Sequence, residues 1–154
     1  MDESEHRKTL VSRMQFLGEM ASTENALFHQ AAAAKCGLGI TELKTVSTLL
    51  LEGPMTAGQL GQRLNLTTGA VTNVIDRLEQ RDFVKRVPDA KDRRKVIVAV
   101  IQQNLAAVDA VYRSMGEAFE TLLETYSTQE LEFLVRYYQA SIELTKREIA
   151  KVSS

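Results

Sequence analysis

The residues from Thr67 to Arg77 combine small polar side chains with two long hydrogen-bond donors, Asn73 and Arg77. Arginine pairs with guanine and asparagine with adenine through two hydrogen bonds to the base edge. Threonine hydroxyls at the start of a helix can reach a phosphate, because unpaired N–H groups and the helix dipole there also favour an anion. The alternative is a core helix with a solvated polar face. The sequence predicts DNA contacts from Thr67, Thr68, Gly69, Ala70, Thr72, Asn73 and Arg77.

A second set of donors follows between Arg81 and Lys95, where seven Lys and Arg stand against three Asp. This stretch carries a net charge of +4 in a chain whose net charge is −1, so a DNA surface is confined to this part of the sequence. Arginine at the tip of a protruding element suits the narrow, electronegative minor groove. Alternatively, these cations only keep an exposed hairpin from aggregating. The predicted contacts here are Arg86, Lys91, Arg93 and Arg94, with Asp89 and Asp92 structuring the loop.

The elements that must position these side chains follow from the apolar pattern. Val71, Val74, Ile75 and Leu78 recur every three or four residues and predict the buried face of a helix over 67–81. A capping box starting at Thr56 predicts a short helix before it. Short runs rich in β-branched residues then predict a hairpin, or wing, over 83–101. This order predicts a winged helix-turn-helix over 40–101, in a fold that is mainly α (α+β).

Long helices are predicted on either side of this lobe, over 4–36 and 104–152. Asn104 is expected to cap the first of the two C-terminal helices, which would continue to about Tyr126. Ser127 and Glu130 form a capping box that opens the second. The 154 residues have room for about one domain, so we expect a single winged-helix domain over 1–154.

Composition excludes several classes of function. The chain has one cysteine and two histidines, and no spacing that indicates a metal site, a cofactor site or a catalytic set. A small enzyme is therefore the weakest interpretation. The sequence shows no signal peptide, membrane-spanning run or possible intramolecular disulfide, so we expect a cytoplasmic protein. Cys36 follows Lys35, whose charge is expected to lower the thiol pKa, and a redox-responsive regulator is one alternative.

The stretch from Met55 to Val100 resembles the MarR family of transcription regulators. Gly69-Ala-Val-Thr-Asn-Val-Ile-Asp-Arg-Leu78 is similar to the family's recognition helix, and Asp89-x-x-Asp92-x-Arg94 to its wing signature. Asp82 stands where the family usually has a glycine, and we expect the turn to survive because Asp tolerates left-handed geometry. Ile101-Gln-Gln-Asn104-Leu105 replaces the family's usual Leu-Thr and later Gly, so we expect the following helix to start from Asn104.

The resemblance implies a homodimer in which the first and last helices interlock with those of a second subunit. It also implies binding to double-stranded DNA at a pseudo-palindromic operator, with Arg94 in the minor groove, and repression relieved by a small aromatic effector. A winged-helix protein-interaction module without DNA binding is the rival interpretation, because several Asp lie beside the DNA face. Apolar positions suited to the dimer interface, or alternatively to a monomer's core, are Leu10, Met14, Leu17, Leu131, Leu134, Val135, Tyr138 and Ile142.

Overall fold

The computed structural model describes residues 2–153, which divide into two compact units, one up to Asp109 and one from Ala110. The structure confirms the predicted class, mainly helical with one small sheet. None of the helices within residues 2–153 is long and apolar enough to cross a membrane. The elements are α1 (Glu3–Lys35), α2 (Ile40–Glu52), α3 (Ala57–Leu64), α4 (Thr68–Gln80), β1 (Val84–Pro88), β2 (Val96–Val100), α5 (Ala106–Leu123) and α6 (Thr128–Val152).

The core of the winged unit lies where α2, α3, α4 and the sheet meet. The predicted face of α4 is confirmed, since Val71, Val74, Ile75 and Leu78 are all buried. Burying an aliphatic side chain of this size contributes about 1.5–3 kcal/mol. The inner face of α4 therefore anchors it firmly and leaves its opposite face in solvent. The other almost fully buried side chains of this core include Leu43, Val46, Leu60, Val84, Val98, Leu105 and Val108.

Local hydrogen bonds fix the helix-turn-helix. The capping box at α3 is confirmed, with the Gln59 N–H donating to Thr56 Oγ1 at 3.2 Å and the Thr56 N–H to Gln59 Oε1 at 2.9 Å. Asn65 ends α3 in the left-handed region at φ 53°. Thr67 then caps α4, and its Oγ1 accepts the Ala70 N–H at 3.3 Å. These contacts set the short turn that presents α4.

The wing consists of β1, β2 and the loop between them. The strands pair antiparallel, with Val84 opposite Val100 and Pro88 opposite Val96. The other edge of β2 is covered by Met55, which exchanges two backbone hydrogen bonds with Val98 at 2.8 and 3.3 Å. This third, one-residue partner was not predicted from the sequence. It joins the wing to the segment between α2 and α3.

The connection from the wing into α5 differs from the prediction at one point. Asp82 adopts the expected left-handed conformation at φ 57°. Asn104, however, lies in a 3₁₀ turn over Gln102–Asn104, and its side chain donates to the Asp82 carbonyl at 2.9 Å. The predicted capping role of Asn104 is wrong, because its amide stabilises the Asp82 turn while α5 begins at Ala106. The helix also ends earlier than predicted, at Leu123.

The apolar positions of the long helices lie at the surface of the single chain. Leu10, Met14 and Leu17 of α1 are each about half exposed, and so are Val135, Tyr138 and Ile142 of α6. Leu131 and Leu134 are partly covered. None of these side chains is among the buried core residues of the described chain. Large exposed apolar faces of this kind are typical of surfaces that meet another molecule.

Candidate nucleic-acid interface

The outward face of α4 carries the small polar residues that the sequence singled out. Thr68, Gly69, Thr72 and Asn73 are exposed, as is Thr67 at the cap, and Ala70 is half-buried. The Thr72 hydroxyl donates to the Thr68 carbonyl at 2.8 Å. Thr67 Oγ1 is used as an acceptor at the cap, so its own O–H remains able to donate outward. The start of α4 thus presents short side chains and helix N–H groups to solvent.

Two aspartates organise the loop of the wing. Asp89 Oδ1 accepts the Lys91 N–H at 2.7 Å, and Asp92 Oδ1 accepts the Arg94 N–H at 3.2 Å. Such turns satisfy backbone donors that a strand would otherwise pair. Backbone bonds from Asp89 to Lys95 and from Lys95 to Asp92 close the loop, each at 2.9 Å. The loop is therefore ordered by its own side chains.

The cations of this loop point into solvent at the tip of the wing. Lys91, Arg93 and Arg94 are exposed, and the Arg94 side chain keeps 93% of its accessible surface. Its Nε lies 3.4 Å from Asp92 Oδ1, so the same carboxylate that shapes the backbone also lies beside the guanidinium. An ion pair this exposed is worth little in free energy, which leaves the arginine able to bind another anion.

Arg77, by contrast, is held by a carboxylate from another helix. Its Nε donates to Glu42 Oε1 at 2.7 Å, while 57% of the Arg77 side chain remains exposed. Burial alone would raise the Glu42 pKa, but hydrogen bonds from the Gly39 N–H and Arg77, and the charges of Arg77 and Arg81, hold that pKa below its ordinary value. Sequence reasoning missed Glu42. Its position three residues after Gly39, where a carboxylate can cap a helix, was the available signal.

Arg86 links β1 to α4 and does not lie at the tip of the wing. Its Nη2 donates to Asp76 Oδ1 at 2.6 Å, and its Nη1 donates to Glu79. The Arg86 N–H adds a bond to Glu79 Oε1 at 2.9 Å. Hydrogen bonds from Arg86 to Asp76 and Glu79 raise the Arg86 pKa against the opposing effect of its burial. The ion pair with Arg86 also neutralises the charge of Asp76, one of the Asp residues beside the DNA face that favoured a protein-interaction module.

Cys36 lies half-buried directly after α1. Burial raises the pKa of its thiol above the ordinary value, and the charge of Lys35 lowers it by less. The charge of Lys35 thus acts in the expected direction, but desolvation of the anion outweighs it, so the net shift disfavours the thiolate. Within residues 2–153 there is no cluster of His, Cys, Asp and Glu able to hold a metal ion.

Comparison with known sequences agrees with this geometry. A family model described as the MarR family matches residues 38–96. The chain is 36% identical over 149 residues to the uncharacterized HTH-type transcriptional regulator YcgE of Bacillus subtilis, covering 97% of this chain and 94% of that protein. It is 31% identical over 88 residues to the HTH-type transcriptional repressor NicR of Pseudomonas putida, covering 56% of this chain and 54% of NicR.

Solved structures share the fold at low sequence identity. A MarR family protein from Bacillus stearothermophilus superposes with a TM-score of 0.68 at 19% identity, over 95% of this chain and 99% of that one. A transcriptional regulator from Thermotoga maritima gives a TM-score of 0.61 at 16% identity, over 90% of this chain and 98% of that one. At such identities the likeness concerns the fold alone.

Proposed function

The chain belongs to the MarR family and is a DNA-binding transcription regulator, and from this we propose that it is a homodimeric repressor of a pseudo-palindromic operator. The main observation that supports this proposal is that the winged unit combines an exposed face of small residues on α4 with an ordered, positively charged wing. In this proposal residues 40–101 form the DNA-binding lobe. The helices over 4–36 and 104–152 form the dimerisation region of a single 154-residue domain.

The α4 face would read the major groove and the wing the minor groove. A helix fits the major groove, and its N-terminal residues are those that meet base edges. We assign these contacts to Thr67, Thr68, Gly69, Ala70, Thr72 and Asn73. Arg94 enters the minor groove, and Lys91 and Arg93 contact the flanking phosphates. Twofold symmetry places the two half-sites about one helical turn apart.

Arg77 and Arg86 receive a different role in this proposal. Both were candidate DNA contacts by residue type, yet each donates to carboxylates of a neighbouring element. A guanidinium already engaged in charge-assisted hydrogen bonds must break or share them to reach DNA. We therefore assign both arginines mainly to holding α4 in place, with the exposed part of Arg77 able to approach a phosphate.

Release by a small aromatic effector is supported by a groove between α1 and α2. It has a volume of about 230 Å³ and is lined by Ala26, His29, Gln30, Ile40, Leu43 and Lys44. The pKa of His29 is lowered by its burial and by the charge of Lys44, which disfavours the charged imidazole. Lys44 supplies a cation to the groove, and an aromatic acid would place its ring on the apolar lining with its carboxylate at Lys44.

The test of this proposal is a binding titration with the DNA directly upstream of the protein's own gene. A scrambled fragment of the same length and composition serves as the control. We expect tighter binding to the upstream fragment and a steep loss of affinity with added salt, since phosphate contacts release counterions. Equal affinity for both fragments would contradict an operator-specific regulator, and flat or absent binding would favour the protein-interaction module.

The effector is tested in the same titration by adding salicylate as an aromatic acid probe. Release of the upstream fragment by the wild-type protein, and a weaker response of Lys44→Ala, would support the groove as its site. The control must not change DNA binding itself, which excludes Lys91 because it lies in the wing. Lys35→Ala, which removes a cation from the end of α1 outside the groove, is the matched control. An equal response of Lys44→Ala and wild type would contradict the assignment of Lys44.

A further inference from the structure

The carboxylate of Glu42 joins the start of α2 to α4. It lies in the first turn of α2 with only 10% of its side chain exposed, and its Oε2 accepts the Gly39 N–H at 2.8 Å. Arg77 of α4 donates to its Oε1 at 2.7 Å. Arg81, just past the end of α4, places its Nη1 3.8 Å from Glu42 Oε2 and donates to the Gly37 carbonyl at 2.9 Å. The corner between α1 and α2 is thereby tied to the C-terminal end of α4.

The spacing of Arg77 and Arg81 at the end of α4 means that their contacts with Glu42 restrict the rotation of α4 about its axis. Residues four apart lie on the same side of a helix, one turn from each other. Two attachments along one turn fix the rotation of α4 about its axis as well as its distance from α2. Because successive helical residues are about 100° apart at 3.6 residues per turn, a modest rotation would aim different side chains at a base edge.

We propose that Glu42 is a positioning residue for DNA recognition, which holds α4 through Arg77 and Arg81 in the rotation that presents its outward face to the bases. This inference rests on the proposed use of α4 as the major-groove reader. Glu42 itself is buried and makes no contact with DNA. Its effect is on specific binding, which needs the correct aim of α4, and much less on nonspecific attraction to phosphate.

The sign of the effect separates positioning from simple electrostatics. A carboxylate near a DNA-binding surface repels phosphate. If Glu42 acted only through this repulsion, removing its charge would increase the affinity for DNA. Positioning has the opposite consequence, because loss of the carboxylate frees Arg77, leaves Arg81 held only by its other contacts, and so loosens α4. Glu42→Gln keeps the size of the side chain. It removes the negative charge and replaces one of the two accepting oxygens with an NH₂ group.

The experiment compares wild type, Glu42→Gln and Glu52→Gln for binding to the upstream fragment and to the scrambled fragment. Glu52 is a matched control, since it also accepts an arginine donor across helices, from Arg63 Nε of α3 at 2.7 Å. We expect Glu42→Gln to lose about tenfold in affinity for the upstream fragment, equivalent to about 1.4 kcal/mol. Its affinity for the scrambled fragment should stay the same or rise, and Glu52→Gln should bind like wild type.

Two further measurements distinguish a loss of positioning from a general folding defect in Glu42→Gln. Hydrogen exchange should be faster across 74–80 in Glu42→Gln than in Glu52→Gln, with α6 unchanged. Glu42→Asp keeps the charge but withdraws the carboxylate, and an intermediate loss of specific binding is expected from it if Glu42→Gln does not fold. Wild-type affinity in the folded variants, or a gain, would overturn the inference while leaving the proposed function intact. A wild-type protein that does not distinguish the two fragments would overturn both.

Discussion

At the residue scale, Arg94 has the exposure that a minor-groove contact requires. Its side chain is almost entirely in solvent, and Asp92 lies beside it without enclosing it. We predict that Arg94→Ala weakens binding to the upstream fragment by about 1–3 kcal/mol, the usual range for a specific arginine contact. The measurement is an equilibrium titration by fluorescence anisotropy at one fixed salt concentration.

Arg147→Ala is the control for Arg94→Ala, because it removes the same charge from an exposed position on α6. A general electrostatic effect would weaken binding similarly in both variants. Unchanged affinity in Arg94→Ala would leave the wing without its proposed contact.

The depressed pKa of Glu42 predicts a pH-dependent contribution to stability. The folded state binds fewer protons at this group than the unfolded state, so its stabilising contribution is complete above the unfolded pKa of about 4.3. It is lost as pH falls through the lower folded pKa. We predict that Glu42→Gln lowers the free energy of unfolding by about 1.5–3 kcal/mol at pH 7, the range for hydrogen bonds to charged groups.

Urea unfolding of wild type and Glu42→Gln at several pH values measures this difference. The two curves should approach each other as pH falls below the ordinary carboxyl pKa and should meet once pH is below the lowered pKa of folded Glu42, where the group is protonated in both states. A difference that stays constant down to pH 3 would show that the Glu42 charge does not contribute.

The residue types of the interface were predictable, but their pairing was not. Arg77 and Arg86 were recognised as donors from the sequence alone. Their acceptors are 35 residues away at Glu42, and ten and seven residues away at Asp76 and Glu79. Long side chains reach many possible partners, and only the packing of α2 and β1 against α4 selects among them.

At the element scale, the turn between α3 and α4 depends on a close approach at Gly61. A Cβ at this position would lie 3.2 Å from the Leu66 carbonyl oxygen, and the Leu66 N–H donates to the Gly61 carbonyl at 2.8 Å. The oxygen belongs to a backbone held by this bond, so it has little freedom to move away. We predict that Gly61→Ala destabilises the fold by about 1–3 kcal/mol, as other overpacking substitutions do.

Gly58→Ala tests the same substitution on the same helix without the contact. The nearest atom to its Cβ would be Thr56 Oγ1 at 3.9 Å, an ordinary separation. We expect it to be neutral or to stabilise by up to about 1 kcal/mol, because Ala favours a helix over Gly. Thermal unfolding distinguishes the two variants, and equal melting temperatures would contradict the close approach.

The local elements were largely predictable because their signals are local. The capping boxes at Thr56 and Ser127 both form as predicted. Asn104 was misassigned because an Asn beside a helix start has two uses, capping that helix or binding a distant carbonyl. The Asp82 carbonyl lies 22 residues earlier in the chain, and only the return of β2 brings it to Asn104.

At the scale of the whole molecule, the exposed apolar faces of α1 and α6 predict self-association. Burying half-exposed Leu and Ile side chains gives the free energy that a dimer needs, at about 25 cal/mol per Å² of apolar surface. We predict that Leu17→Glu converts a dimer to a monomer in sedimentation experiments, and that it abolishes high-affinity binding to a two-half-site operator.

Ser12→Glu is the control for Leu17→Glu, since it adds the same carboxylate to an exposed position of α1 without removing apolar surface. It should remain dimeric. A monomeric wild-type protein at micromolar concentration would contradict the proposed dimerisation region, whatever the behaviour of the variants.

The sequence by itself determined the order of the elements, the buried face of α4 and the cationic composition of the wing. These properties depend on periodicity, capping and charge, which act over a few residues along the chain. Tertiary structure decided which donors remain available at the DNA surface. The polar residues Thr67, Thr68, Gly69, Thr72 and Asn73 and the loop cations stay exposed. Arg77 and Arg86 instead pair with carboxylates, because packing brings oppositely charged groups of other elements within hydrogen-bonding distance.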